Sequence, residues 1–105
     1  MHRTTLRAYI SEADVVQQLT LPNGIRRVIF QPEGSEVLLH VGWDTTKVSA
    51  GTEGTSSRGT PWDSGIHYRD TGPLFFRGDV RGAFVRIDIL HTAGILDVGG
   101  QGLTP

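Results

Sequence analysis

The 105-residue sequence has no cysteine and only one lysine. Without cysteine neither a disulfide framework nor a thiolate metal site can form, and the redox compartment stays undetermined. Ten basic residues against eleven acidic ones leave a formal net charge of −1. A balance of this kind gives no overall field to attract nucleic acid or an anionic membrane, so neither is expected as a partner.

Nine of the ten basic residues are arginine. Arginine forms bidentate, weakly hydrated contacts and is enriched at protein interfaces, where lysine is depleted. A GC-rich genome would produce the same bias without a structural purpose, and both explanations stay open.

Long apolar runs are also missing. No stretch approaches the ~20 apolar residues of a membrane span. The N-terminal run "MHRTTLRAYISEAD" has no apolar segment of the length that a secretory signal needs. The expected site of synthesis is therefore a cytoplasm.

Catalytic signatures are absent as well. The chain has no G-x-S-x-G elbow, H-E-x-x-H pair, Walker loop or calcium loop. Its four histidines, at positions 2, 40, 67 and 91, do not form the His-x-His pair that brings two metal ligands from one strand. We expect no enzyme activity, no cofactor and no bound metal.

The apolar residues that are present alternate with polar ones, as in half-buried strands. In "AFVRIDIL", Val85, Ile87 and Ile89 share one face, and Arg86 and Asp88 lie on the solvated face. Similar signals occur in "EVLLHVGW", "TTLRAYI", "VVQQLTL", "RRVIFQP", "GIHYR", "PLFF" and "GILDV". Turn residues separate these runs. The pattern predicts one all-β domain over residues 1–105, an antiparallel β-sandwich or jelly roll of about eight short strands.

Three segments allow more than one interpretation. "SEADVVQQL" resembles a helix start at Ser11, but its two adjacent valines favour a strand. Residues 45–60 are polar and glycine-rich, and two hypotheses stay open: a solvent loop, or an arm that orders against a neighbouring subunit. Residues 99–105 are expected to form a flexible tail.

The aromatic and turn residues suggest two binding hypotheses. An exposed Trp62 near Tyr68 would suit sugar stacking, so a carbohydrate-binding module is the alternative function. The tripeptide Arg77-Gly78-Asp79 is an adhesion signal in some extracellular proteins, but between "PLFF" and "GAFVRIDIL" it is predicted to be a turn.

The run "LTLPNGIRRVIFQPEGSEVLLHVGWDTT" and the later run "TPWDSGIHYRDTGPLFFRGDVRGAFVRIDIL" together resemble small structural proteins of tailed bacteriophages. These are capsid decoration (cement) proteins and related head, connector or tail subunits. The matching features are the turn and basic strand at 22–27, the loop at 45–60 and the "FFRGD" region at 75–79. The resemblance covers most of residues 19–98 and carries no catalytic motif.

This resemblance implies a non-enzymatic virion protein, assembled in a bacterial cytoplasm, that binds the outer capsid lattice and stabilises the head. Its partners would be the major capsid protein or other virion subunits, together with copies of itself, a trimer being favoured. Arginines would pair at the rim of the contact, and aromatic side chains would anchor it. The predicted interface residues are Arg26, Arg27, Trp62, Tyr68, Arg69, Arg77, Asp79 and Arg81.

Overall fold

The protein is an antiparallel β-sandwich, as predicted. The computed structural model describes residues 1–21, 24–34, 36–52, 54–56, 59–65, 73–92, 98–99 and 103–104. The strands are β1 (His2–Ile10), β2 (Gln17–Leu19), β3 (Ile25–Pro32), β4 (Leu39–Gly42), β5 (Thr55–Ser56), β6 (Trp62–Asp63), β7 (Leu74–Gly78), β8 (Ala83–His91) and β9 (Leu103–Thr104), with one helix, α1 (Thr45–Ala50).

The strands form two sheets. The five-stranded sheet has the order β6-β3-β8-β1-β9, and the four-stranded sheet has the order β2-β7-β4-β5. All of these strand pairs are antiparallel. The predicted strands in "GIHYR" and "GILDV" lie largely outside the described residues.

Alternating residues of both sheets fill the space between them. Val85, Ile87 and Ile89 are fully buried, which confirms the apolar face predicted for β8. From β3 and β7, Phe30 and Phe76 meet across the sandwich with 5.3 Å between their ring centroids. The core therefore joins the two sheets through aromatic contact.

Within the described part of the segment 45–60, where a loop was expected, the structure has a helix, α1, and a short strand, β5. The Asp44 carboxylate accepts hydrogen bonds from the backbone N–H groups of Thr46 and Lys47, and Gly51 ends the helix with φ = 71°. Val48 is fully buried. One buried apolar residue and two caps hold this six-residue helix in place. A single apolar residue shows no helical period, so the sequence pattern does not indicate the helix.

The predicted tail also makes backbone contacts where the structure describes it. Gly99 exchanges two backbone hydrogen bonds with Thr20, at 2.8 and 3.1 Å. Leu103 and Thr104 pair with Ala8 and Arg7 of β1. Strand pairing therefore holds Gly99, Leu103 and Thr104, and the expectation of a flexible tail stays a prediction for the rest of residues 99–105.

The connections between strands define two ends of the sandwich. At one end, which we call the apical end, lie the connections 11–16, 33–38 and 79–82. At the other, the basal end, β1 and β3 begin and β8 finishes, so that residues 2–3, 24–27 and 90–92 meet.

The single helix among the described residues is far too short to cross a membrane.

Candidate functional site

The outer side of the five-stranded sheet is a broad surface on which cationic and aromatic side chains stand in register. We call it the open face. In β1, the outward side chains are exposed while Ala8 and Ile10 on the inward side are fully buried. The strand register places outward residues of the three long strands side by side. The open face comprises Arg27, Ile29 and Gln31 of β3, Phe84, Arg86, Asp88 and Leu90 of β8, and Arg3, Thr5, Arg7 and Tyr9 of β1.

Asp88 lies at the centre of the open face and is only 4% exposed. Its carboxylate accepts a hydrogen bond from the Thr5 hydroxyl at 2.7 Å and pairs with Arg3 at 3.1 Å and Arg86 at 3.2 Å. Burial alone would raise the pKa of Asp88, but the hydrogen bond from Thr5 and the two guanidinium groups outweigh it and lower the pKa below its usual value. The carboxylate therefore stays charged and holds two arginines in place.

Arg7 and the aromatic pair form the apical part of the open face. Arg7 contacts both carboxylate oxygens of Glu33, at 2.7 and 3.2 Å. Its guanidinium carbon lies 3.7 Å from the centroid of the Phe84 ring, and Tyr9 packs against the same ring at 5.1 Å. Bidentate pairing and cation–π contact fix the Arg7 side chain while half of it stays exposed.

Arg27 anchors the opposite edge of the open face. It forms a bidentate ion pair with Asp63 of β6. The hydrogen bond from Arg27 lowers the pKa of the Asp63 carboxyl, although partial burial acts in the opposite direction. Each of the four arginines of the open face is thus held by a carboxylate.

The predicted interface residues that the structure describes lie in separate regions of the molecule. Arg26 is exposed at the basal end. The register between β3 and β8 shifts between Ile25 and Arg27, so Arg26 has no partner residue in β8. Arg81 is exposed at the apical end, on the turn before β8, and lines a shallow pocket of about 460 Å³ with Glu36 and Phe84. Tyr68 and Arg69 lie outside the described residues. The structure does not gather the described members of the predicted set into one patch.

The tripeptide Arg77-Gly78-Asp79 is not the turn that the sequence predicts. Arg77 and Gly78 belong to β7, and the glycine of positive φ in the following turn is Gly82. Gly78 packs closely on the core, and a Cβ there would lie 3.1 Å from the Ile10 side chain, which would have to shift slightly. Arg77 keeps only 17% of its side chain exposed. An adhesion tripeptide needs an exposed loop, and this one lies mostly within a sheet.

Arg77 and Asp79 instead have structural contacts. Arg77 lies opposite His40 on the outer side of the four-stranded sheet, with the end of α1 above it: a Cβ on Gly51 would be 3.0 Å from its guanidinium. The Asp79 carboxylate accepts a hydrogen bond from the Leu38 N–H at 2.8 Å. This bond ties the 33–38 connection to the end of β7.

Trp62 is less exposed than predicted. It is half-buried and meets Phe30 edge to face, with 5.8 Å between ring centroids. Trp43, the residue after β4, is 42% exposed, and its ring centroid lies 6.0 Å from that of Trp62. Because β4 ends at Gly42, the alternation that buries Leu39 and Val41 no longer applies to Trp43.

Sequence reasoning missed the main residues of the open face, Arg3, Arg7, Tyr9, Phe84 and Arg86. The signal was present in "HRTTLRAYI", where Arg3, Arg7 and Tyr9 occupy alternate positions of one strand. Their grouping with Phe84 and Arg86 depends on the register between β1 and β8, which the sequence does not reveal.

Over the part of the chain that the structure describes, no group of three histidine, aspartate or glutamate side chains is placed to hold a metal ion. No protein-family model, curated protein or solved structure matches this chain.

Proposed function

We propose that this protein is a non-enzymatic structural subunit of a tailed-bacteriophage virion that binds the outer capsid lattice and stabilises the head. The observation that carries the proposal is the open face, where four arginines are held in place by carboxylates beside Tyr9 and Phe84. The sequence resemblance described above supplies the virion as its setting.

Such a face suits protein binding for two physical reasons. Arginine and aromatic side chains supply most of the energetic anchors in protein interfaces. Side chains that are already fixed lose little conformational entropy when a partner covers them. Here Asp88 fixes Arg3 and Arg86, and Phe84 supports Arg7.

A repeated lattice would multiply a modest affinity. A subunit that bridges two capsomers makes its second contact at high effective concentration, so many weak contacts sum to strong attachment. Attachment of this type needs a rigid surface and no chemistry, and a β-sandwich supplies the rigid surface.

The test is cosedimentation of the purified protein with phage heads that lack decoration protein. We expect saturable binding at a fixed ratio to the major capsid protein. The double variant Arg7→Ala/Tyr9→Ala should bind at least about tenfold more weakly, because it removes one cationic and one aromatic anchor. Lys47→Ala is the matched control, since it removes an exposed cation from α1, on the other side of the molecule, and should bind as the original chain does.

Failure to bind any head, connector or tail component would contradict the proposed function. Equal loss of binding in the Lys47→Ala control would show that charge alone, rather than the open face, determines attachment.

Carbohydrate binding is a second candidate function, and the exposed Trp43 favours it. An indole ring can stack on a sugar while polar groups nearby bind its hydroxyls. This candidate predicts binding to at least one glycan on an array, with about tenfold loss in Trp43→Ala and retention in Trp43→Tyr, which keeps an aromatic ring. An array without any bound glycan would eliminate it.

A further inference from the structure

The two ends of the sandwich differ in polarity and charge. Three exposed apolar side chains lie at the apical end, on three separate connections: Val15 at 46%, Leu38 at 37% and Val80 at 39% exposure. Backbone hydrogen bonds bring these connections together around the end of β7, since Asp14 donates to Gly78 and Asp79 donates to Leu38. They form an exposed apolar centre that the fold itself does not cover.

The connections that carry this apolar centre are acidic. The three connections carry five carboxylates, which are Glu12, Asp14, Glu33, Glu36 and Asp79, against one guanidinium, Arg81. Arg7 pairs with Glu33 and Arg77 pairs with Asp14, which still leaves a formal charge of −2. Two apical ends would therefore repel each other, so a symmetric contact between them is disfavoured.

The described residues of the basal end have the opposite charge. Arg26 is exposed and forms no ion pair with any residue that the structure describes. Arg3 keeps 59% of its side chain exposed although it reaches Asp88. The aliphatic stems of these arginines and the half-buried Leu90 provide apolar surface at the same end.

We propose that copies of this protein associate head to tail, with the apical end of one subunit bound to the basal end of the next. Val15, Leu38 and Val80 would pack against the arginine stems and Leu90, while the apical carboxylates pair with Arg3 and Arg26. A heterologous contact of this kind closes into a ring when its rotation allows and otherwise extends into a filament. The proposal deepens the proposed function by naming the contact between subunits, and rests on it only for its setting in a virion.

The open face takes no part in this contact beyond Arg3 and Leu90 at its basal margin. A ring would therefore leave most of the open face of every subunit available to a capsid. Self-association can be measured with the purified protein alone, so its failure is distinguishable from a failure to bind phage heads.

Two variants that each damage one end provide the test. Leu38→Asp/Val80→Asp introduces charge into the apical apolar centre, and Arg26→Glu inverts an exposed charge at the basal end. All three positions are exposed, so both variants should fold, which their thermal unfolding will check against the original chain. Sedimentation velocity then gives the mass of each sample over a range of concentrations.

We expect the original chain to associate as concentration rises, and to do so at least about tenfold less strongly at high salt, because salt screens the contact between opposite charges. Each variant alone should stay monomeric or associate at least about tenfold more weakly. An equimolar mixture should form a 1:1 dimer, because the intact apical end of Arg26→Glu can bind the intact basal end of its partner.

Other outcomes overturn the proposal. If one variant alone still dimerises as the original chain does, the contact is symmetric and uses the undamaged end. If the mixture stays monomeric while the original chain associates, other surfaces are responsible. If the original chain is monomeric at every concentration and salt, no contact between its ends exists in solution.

Discussion

Replacing Phe30 with alanine should lower the free energy of unfolding by about 4 kcal/mol. Phe30 is fully buried, and its ring lies 5.3 Å from that of Phe76 in the opposite sheet and 5.8 Å from Trp62. Its removal eliminates the aromatic contact between the two sheets and leaves a cavity that the β-strands on both sides can close only in part. Urea unfolding followed by tryptophan fluorescence measures the change, since Trp62 packs on the same ring.

Phe84→Ala is the matched control for Phe30→Ala. Phe84 is also an aromatic residue of the five-stranded sheet, but it lies on the half-exposed open face and leaves no enclosed cavity when truncated. We expect a loss of about 1 to 2 kcal/mol, from partial burial and the contact with Arg7. Equal losses in the two variants would contradict the assignment of one side of this sheet to the core and the other to the surface.

The β-sandwich could be predicted from the sequence because side-chain alternation is a local property of each strand. Val85, Ile87 and Ile89 alternate with Arg86, and burial follows that pattern. Asp88 departs from it: the pattern places Asp88 on the solvated side, yet it is nearly buried. Its burial depends on Arg3, 85 positions earlier in the chain, whose place is set by strand register.

The helix α1 could be recognised only by its ends. Asp44 and Gly51 are residue types that begin and end helices, and six residues lie between them. Between them only Val48 is sizeable and apolar, so no helical period is visible, and glycine and serine make the segment resemble a loop. Packing of the helix end on His40 and Arg77 is a tertiary effect that local sequence does not report.

The position of the candidate site could not be predicted from the sequence. The arginine-rich composition left two explanations open, interface contacts and codon bias, and the structure places four arginines together on the open face. Arg77, however, is mostly buried beside the end of α1. Trp62 packs against the core residue Phe30. Which arginine is exposed depends on the tertiary contacts of its strand, so composition could not distinguish Arg7 from Arg77.

Gly54→Ala should destabilise the protein by about 3 kcal/mol or more, which tests the order of the segment that sequence reasoning treated as a loop. Gly54 has φ = 46°, and a Cβ there would collide with the carbonyl oxygen of Val41 and lie 2.6 Å from Nε1 of Trp62. The backbone would have to shift, which would break the 2.8 Å hydrogen bond from the Val41 N–H to the Gly54 carbonyl. β4 would then lose its pairing with β5, the strand at this edge of the four-stranded sheet.

Gly65→Ala is the control for Gly54→Ala, because it introduces backbone strain at a positive φ without a steric clash. Gly65 also has positive φ, at 82°, but a Cβ there would meet no atom of the described residues within 4 Å. Its replacement should cost only the conformational strain, about 1 kcal/mol. Urea midpoints of the two variants give the difference, and the hydrogen exchange of the Val41 amide reports the lost bond. If Gly54→Ala is as stable as Gly65→Ala, with the Val41 amide still protected, then the segment after α1 does not pack on β4 as the structure shows.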